Sequence, residues 1–350
     1  MREPLPNRPR LRPGLAVLHR RPGEFQVGTA PGRATVVRGV PAAVLDAAEQ
    51  LRGGRTAEEM ISVAGRHGPE LDEVLRGLAE QGLVEDASRA GPGYPPRFAA
   101  ESTLAAQRGT ADLDRRARAS VVVHGGGRVA VALAGLLAAA GVRRVRVAGG
   151  GVVAPEDLGT GLRLADIGAD RAAAGNAAVL RAEETAVTTA RRADLVVLAD
   201  AVVPDPVVVG ALRGPHLPVV AQDGVVAVGP LVVPGWTPCL TCVDHHKADL
   251  DGCWPVVAAQ LAGKPRPADV ATSWSAAALA AAHVHEVLGR TDPLDSPLVG
   301  AVLELDPLVG SLTRRRWPLH PRCGCEAVRR ERERRGGVRA APGAPGSFGG

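Results

Sequence analysis

The sequence is poor in aromatic residues, which make up 2% of its 350 positions, with one Tyr, three Phe and four Trp. A core of ordinary size must therefore be built from closely packed Ala, Val and Leu rather than from a few large rings. Lysine is nearly missing too: of 42 basic residues only Lys247 and Lys264 are lysines. The net charge of +5 rests on arginines interspersed with acids, and no aromatic residues interleave with them, which argues against a nucleic-acid surface. No apolar run reaches the roughly 18 residues of a membrane span. The start, MREPLPNRPRLRPG, lacks the apolar stretch of a signal peptide, so a cytoplasmic protein is expected. Cysteines number five, and four of them form two tight pairs, which in a reducing compartment points to metal rather than to disulfides.

What the chain does have is a strong strand, glycine turn, helix, strand pattern over residues 121 to 153, VVVHGGGRVAVALAGLLAAAGVRRVRVAGGGVV. Val121, Val122 and Val123 are a β-branched run, and an Ala- and Leu-rich helix extends to Gly141, which supplies a left-handed cap. Gly125, Gly127 and Ala130 fit G-x-G-x-x-[GA], the turn that brings a pyrophosphate to a helix N-terminus. At the end of the second strand, where an acid should hold a ribose hydroxyl, stand Ala148, Gly149, Gly150 and Gly151. The expected fold class is α/β, a Rossmann-like sheet domain joined to a smaller N-terminal module.

Residues 1 to 10 form a Pro- and Arg-rich lead, expected to be disordered. Residues 11 to 87 predict a hairpin about Arg21-Pro22-Gly23, a third strand at Val36 and Val37, and three helices. Thr56 and Glu59 make a capping box for the second helix, and Leu71, Val74, Leu75 and Leu78 form one apolar stripe on the third. The module is winged-helix-like, but its third helix carries Glu70, Asp72, Glu73 and Glu80 against Arg76 alone, which disfavours DNA. A small docking domain without a ligand is the other reading.

Residues 88 to 117 open on SRAGPGYPPRFAA and are expected to be a linker, with the sheet domain over 118 to 326. In it, residues 193 to 200 (ADLVVLAD) read as a buried strand, 273 to 289 as a long helix, and the segment up to Cys239 and Cys242 as extended chain. VGAVLELDPLVGSLTRRRW reads as a hairpin turning near Asp306 to Gly310, before the second cysteine pair. Residues 327 to 350 have the composition of a disordered tail.

The sharpest chemical signal is Cys239-x-x-Cys242 with Cys323-x-Cys325. Two short-spaced thiol pairs from distant segments offer Zn²⁺ four soft ligands and no open position, the pattern of a structural site. His245, His246 and His320 lie near enough in sequence to replace a ligand, though packing explains them as well. Cys253, beside Trp254, is either an ordinary thiol or a reactive one with Lys247 as the nearby cation.

Taken together, GGGRVAVALAGLLAAAGVRRVRVAGGGVV, DIGADRAAA, ADLVVLAD, GPLVVPGWTPCLTC and RCGC, in this order, resemble the ThiF/MoeB/HesA family, whose fold is shared with ubiquitin-activating enzymes. The N-terminal LAVLHRRPGEFQVG, LRGGRTAEEM and LRGLAEQGLVED resemble the PqqD-like peptide-recognition module. The combination is similar to ThiF-like proteins of azole- and azoline-forming (bacteriocin-type) peptide maturation. That resemblance implies a leader peptide added as a strand beside the hairpin, a separate cyclodehydratase as partner, and a homodimer.

Active members of the family bind ATP and Mg²⁺ and adenylate the C-terminus of a small carrier protein. The resemblance places their glycine turn on Gly125, Gly127 and Ala130, and both acids of their D-x-D on Gly149 and Gly151. Their N-L-x-R-Q motif falls on Asp157, Leu158, Gly159, Thr160 and Gly161, with Arg163 displaced by three; their Lys falls on Arg171, and their metal-binding Asp near Asp200. The candidate catalytic residues are thus Arg171, Asp200 and Cys253, and the candidate nucleotide-binding residues Gly125, Gly127, Ala130, Arg163, Arg171 and Asp200. With the ribose acid and the Arg lost, the expectation is a catalytically degenerate, peptide-binding scaffold, with a carrier-activating adenylating enzyme as the alternative. A dinucleotide oxidoreductase would leave the cysteine pairs unexplained.

Overall fold

A computed structural model of the chain describes residues 5–88, 96–107, 113–189 and 192–325. The tail expected over 327–350 and parts of the expected linker lie outside them. Contacts divide the chain into two units, Met1–Arg115 and Arg116–Gly350.

In the first unit, β1 (Pro9–Leu11) precedes a three-stranded sheet of β2 (Val17–Arg21), β3 (Glu24–Val27) and β4 (Thr35–Arg38), ordered β2-β3-β4. Helices α1 (Ala42–Glu49), α2 (Ala57–Val63) and α3 (Gly68–Glu80) follow, then β5 (Val84–Asp86) and α4 (Ala99–Gln107). Phe25 and Val27 from the hairpin pack with Val44, Met60, Leu71, Leu75 and Leu78, so the apolar stripe of α3 faces this core. The capping box at the start of α2 is formed: Thr56 Oγ1 accepts from the Glu59 amide at 3.1 Å, and the Thr56 amide donates to Glu59 at 2.7 Å. Such a cap contributes about 1 kcal/mol.

The lead expected to be disordered is corrected in part. Pro9–Leu11 pairs antiparallel with Val84–Asp86, because residues more than 70 positions away complement it. Arg10 and Arg12 both bond Glu85 at 2.8 Å, and Asp86 accepts from the amides of Asn7 and Arg8. The segment read as linker likewise carries α4 and a short helix, α5 (Leu113–Arg118).

The second unit is a seven-stranded mixed sheet flanked by helices. Its elements run β6 (Ser120–His124), α6 (Arg128–Ala139), β7 (Arg144–Ala148), α7 (Arg171–Ala182), β8 (Leu195–Ala199), α8 (Pro206–Ala211), β9 (His216–Gln222) and β10 (Val225–Val228). They continue with α9 (Leu240–Leu250), α10 (Trp254–Leu261), α11 (Val270–Gly289), β11 (Ala301–Asp306) and β12 (Ser311–Arg316). Strand order is β12-β11-β10-β9-β8-β6-β7; β7, β6, β8 and β9 are parallel, and the rest antiparallel.

On one sheet face Val121, Val123, Val145, Val147, Leu195 and Val197 alternate inward against α6. The scarcity of aromatics has a structural counterpart where α11 lies on α6: Ala276, Ala277, Ala280 and Ala281 meet Ala132, Leu133 and Ala134, all buried. Gly141 ends α6 with φ of 97°, and the Val142 amide reaches back to the Leu137 carbonyl at 2.9 Å, closing a left-handed cap.

Between β7 and β8 the third strand of the parallel half is reduced to one bridge, Val187 with Arg144, and the chain enters β8 eight residues later. The cysteine segment read as extended is also corrected. Cys239 is the N-cap of α9, and Cys242 lies in its first turn. Among the described residues no helix is long and apolar enough to cross a membrane.

Candidate functional site

Because β6 pairs with β7 on one side and β8 on the other, the sheet has its topological switch point at the carboxyl end of β6, where open α/β sheets place ligands. A cleft of about 270 Å³ lies there, lined by His124, Gly125, Gly126, Gly149, Arg171 and Asp200 among others. That is just under the usual range of small-molecule pockets, about 300–1,000 Å³.

The glycine turn is already occupied by the chain itself. Asp200, directly after β8, has φ of 69°, and its carboxylate reaches under the start of α6. One oxygen accepts from the amides of Gly126 at 3.0 Å and Gly127 at 2.7 Å, and the other from Val129 at 3.1 Å and Ala130 at 3.3 Å. These are the unpaired donors that a helix N-terminus otherwise offers to a phosphate. Burial pushes the Asp200 carboxyl upward, opposed by the four amides.

The position opposite, Gly149, is closed by backbone. A Cβ there would lie 2.6 Å from the Gly125 carbonyl oxygen and 3.0 Å from the Gly126 nitrogen, and the Gly125 amide donates to Ala148 at 2.9 Å. No side chain, acidic or otherwise, fits between turn and strand. The packing thus accounts for a missing acid at Gly149, whereas a Cβ on Gly151 would meet nothing within 4 Å.

Arg171 lies at the cleft wall, its Cβ 2.8 Å from where a Cβ on Gly126 would be. Its guanidinium is held by Asp157, at 2.7 and 3.1 Å to one carboxylate oxygen, which also accepts from the Ala154 amide at 2.9 Å. Gly125, Gly127, Ala130, Arg171 and Asp200 are thus brought together. Arg163 is exposed and does not line the cleft: its amide bonds Asp166 in a local turn that directs it to solvent. Cys253 is exposed at the cap of α10 and also lies outside the cleft lining.

Arg128 and Asp205 were not singled out by sequence reasoning. Arg128 donates to the carbonyls of Leu158 and Ala268, both at 2.6 Å, tying the helix start to two loops. Asp205 lines the cleft near His124, whose pKa burial lowers while the Asp205 charge opposes. No sequence pattern distinguishes either.

The four paired cysteines converge. Sγ–Sγ distances are 3.5 Å for Cys239–Cys323, 3.2 Å for Cys242–Cys325 and 3.9 Å for Cys239–Cys242, and all four sulfurs lie within 4.8 Å of one another. A tetrahedron with Zn–S bonds of about 2.3 Å has edges of about 3.8 Å. The donor set therefore fits a thiophilic metal ion. Burial pushes the Cys323 thiol up to about 11 and raises that of Cys325, while hydrogen bonds from its neighbours outweigh burial and lower that of Cys239, so a cation is what would let Cys323 and Cys325 ionise.

His320, 2% exposed, is a neighbour of the cluster and not part of it: its amide points at Cys242 Sγ at 3.4 Å, and its Nε2 meets Asp249 at 2.8 Å. His245 lies tilted and His246 edge-on to its ring, with centroids 5.0 and 4.6 Å away.

No protein-family model matches the sequence, and no curated protein matches it. Solved structures do match in shape. E. coli MccB in complex with MccA-N7isoASN superposes with TM-score 0.70 at 16% identity, covering 91% of this chain and 99% of that one. The fold is Rossmann-like and ThiF-type. The same enzyme solved with ATP gives the same values, and a heterocyclase in complex with substrate and cofactor gives TM-score 0.55 at 18% identity, covering 88% of this chain and 38% of that one.

Proposed function

We propose that the chain is a catalytically degenerate ThiF-like scaffold that binds a leader peptide and presents it to a separate peptide-modifying enzyme, such as a cyclodehydratase of bacteriocin-type biosynthesis. The observation that carries this reading is the Asp200 carboxylate on the four amides at the start of α6. A triphosphate entering this turn meets a carboxylate where it needs donors, and Gly149 leaves nothing to hold a ribose.

Peptide binding is assigned to the first unit. Strands β2 and β4 each pair only with β3, leaving two edges without a strand partner among the described residues. An extended peptide added there gains main-chain hydrogen bonds that need no particular side chain. MccB was solved with a peptide, N-formylated MccA, and the heterocyclase with its substrate, which supports a peptide as the ligand class here.

The cysteine cluster is assigned a structural Zn²⁺ that staples α9 to the segment after β12. It holds the antiparallel half of the sheet and supplies no reaction step.

A second reading, an adenylating enzyme that activates the C-terminus of a carrier protein, is favoured by one observation: the cleft is open beside Arg171, in a fold whose neighbour MccB was solved with ATP. Isothermal titration with ATP and Mg²⁺, together with ATP–pyrophosphate exchange in the presence of candidate peptides, separates the two. The scaffold reading expects neither tight binding nor exchange. Peptide-stimulated exchange that is lost in Arg171→Ala would overturn it.

A further inference from the structure

Cys323 and Cys325 reach the cysteine cluster on an arm, residues 317–325, that follows β12 as irregular chain. Such an arm must be ordered before both thiols can meet an ion, at a cost in conformational entropy.

The arm is tied to α9 by bonds that involve no thiol. Cys242, His246 and Asp249 stand at i, i+4 and i+7 of α9, one stripe along the helix. His246 Nε2 donates to the Pro318 carbonyl at 3.1 Å, and the Asp249 carboxylate accepts from His320 Nε2 at 2.8 Å and from the Arg322 guanidinium. Within the arm, the Arg322 amide donates to His320 Nδ1 at 3.1 Å and the Cys323 amide to the His320 carbonyl at 2.9 Å. One buried residue thus holds the turn that leads into Cys323, while its own amide is directed at Cys242 Sγ.

We propose that His246, Asp249 and His320 are positioning residues for the metal ion of the four cysteines: a latch that docks the arm on α9 and presents Cys323 and Cys325 without coordinating the ion. The proposal rests on the assignment of a metal to the cysteine cluster.

By proximity alone the same three side chains would read as a second metal site, since their ligand atoms lie within 4.8 Å of one another. The protons decide against it. A backbone amide only donates, so His320 Nδ1 is an acceptor and the proton of the ring sits on Nε2, the nitrogen that faces Asp249. A carbonyl only accepts, so His246 Nε2 carries a proton as well. Neither of these nitrogens has a lone pair to offer an ion, and each Asp249 oxygen already meets a donor.

A latch of this kind raises metal affinity by ordering the arm in advance, as partners behind the ligands do in metal sites generally. Its removal should therefore weaken binding and leave the ligand set as it was.

Cobalt reads both quantities, because the visible bands of bound Co²⁺ report the atoms around it. The full chain, stripped of metal, is titrated with Co²⁺. Asp249→Ala opens the latch at a half-exposed side chain. It should weaken Co²⁺ binding by on the order of ten- to a hundredfold, with the bands of a four-thiolate site and about one ion per chain both retained. His320→Phe should do the same. Asp249→Asn keeps an oxygen for His320 Nε2 and should recover part of the affinity. Parent-like affinity in Asp249→Ala, or an Asn variant no better than the Ala one, would overturn the proposal. So would a second Co²⁺ per chain with bands of nitrogen and oxygen ligands, lost in His320→Phe. A parent chain that takes up no Co²⁺ would instead overturn the metal assignment, and the latch with it.

Discussion

The Asp200 carboxylate accepts a hydrogen bond from the Gly127 amide at 2.7 Å, joining the end of β8 to the start of α6 across 73 positions of sequence. Three further amides converge on the same side chain. Removing it leaves four buried donors unpaired. Asp200→Ala is therefore expected to lower the unfolding free energy by on the order of 3 kcal/mol. Millimolar phosphate should restore part of that loss in the variant and have no effect on the parent, as read from urea midpoints with and without the anion.

Gly149→Asp places at the end of β7 an acid that the ThiF/MoeB/HesA resemblance implies there. It is expected to lower the melting temperature by several degrees and to confer no nucleotide binding, because its Cβ meets the Gly125 carbonyl at 2.6 Å. Scanning calorimetry with and without ATP reads both outcomes. A stable variant with new ATP affinity would contradict the account of the closed turn.

The cysteine cluster should yield about one equivalent of zinc per chain on elemental analysis. Replacing Cys239 and Cys242 by Ser should remove the metal and destabilise the second unit. Helix α9 and the segment after β12 should lose amide-exchange protection before the parallel strands do. A metal-free protein of unchanged stability would remove this assignment.

His285, on α11, is held down to a pKa of about 3 by burial and by the Arg116 charge. Its buried Nε2 has no partner among the described residues. The folded value lies below the ordinary histidine value of 6.5, so the unfolded chain takes up the proton first. Stability carries no penalty from this group above pH 6.5, and declines as pH falls from there towards 3. In His285→Gln the urea midpoint should lose that part of its slope across the same window.

The legible parts of the fold and site are those that repeat over short distances. The Arg21-Pro22-Gly23 turn, the Thr56 and Glu59 cap, the Leu71 to Leu78 stripe and the Val121 to Val123 strand each declare themselves within about eight residues, as do the cysteine pairs. What escaped depends on partners far away in sequence. Strand β1 exists because Glu85 and Asp86 meet it, and the role of Asp200 is set by a turn more than seventy positions earlier. Helix α9 escaped for a different reason: LTCVDHHKADL has little amphipathic contrast, and its first turn is packed by the distant cysteine pair and by Val243 against Val302 and Trp317. Gly149 reads in sequence as a lost ligand, but in space it is the contact that admits the Gly125 turn.

The residue that fills the anion cradle is part of the chain, and that changes what a competing ligand must achieve. A tethered group acts at an effective concentration that is millimolar even for a loose tether and rises as the tether stiffens. Asp200 sits directly at the end of a strand paired on both sides, a stiff tether. A phosphate from solution must outcompete a resident that never dissociates, so the affinity of this turn for free anions is set by how easily one residue in a left-handed conformation rotates away.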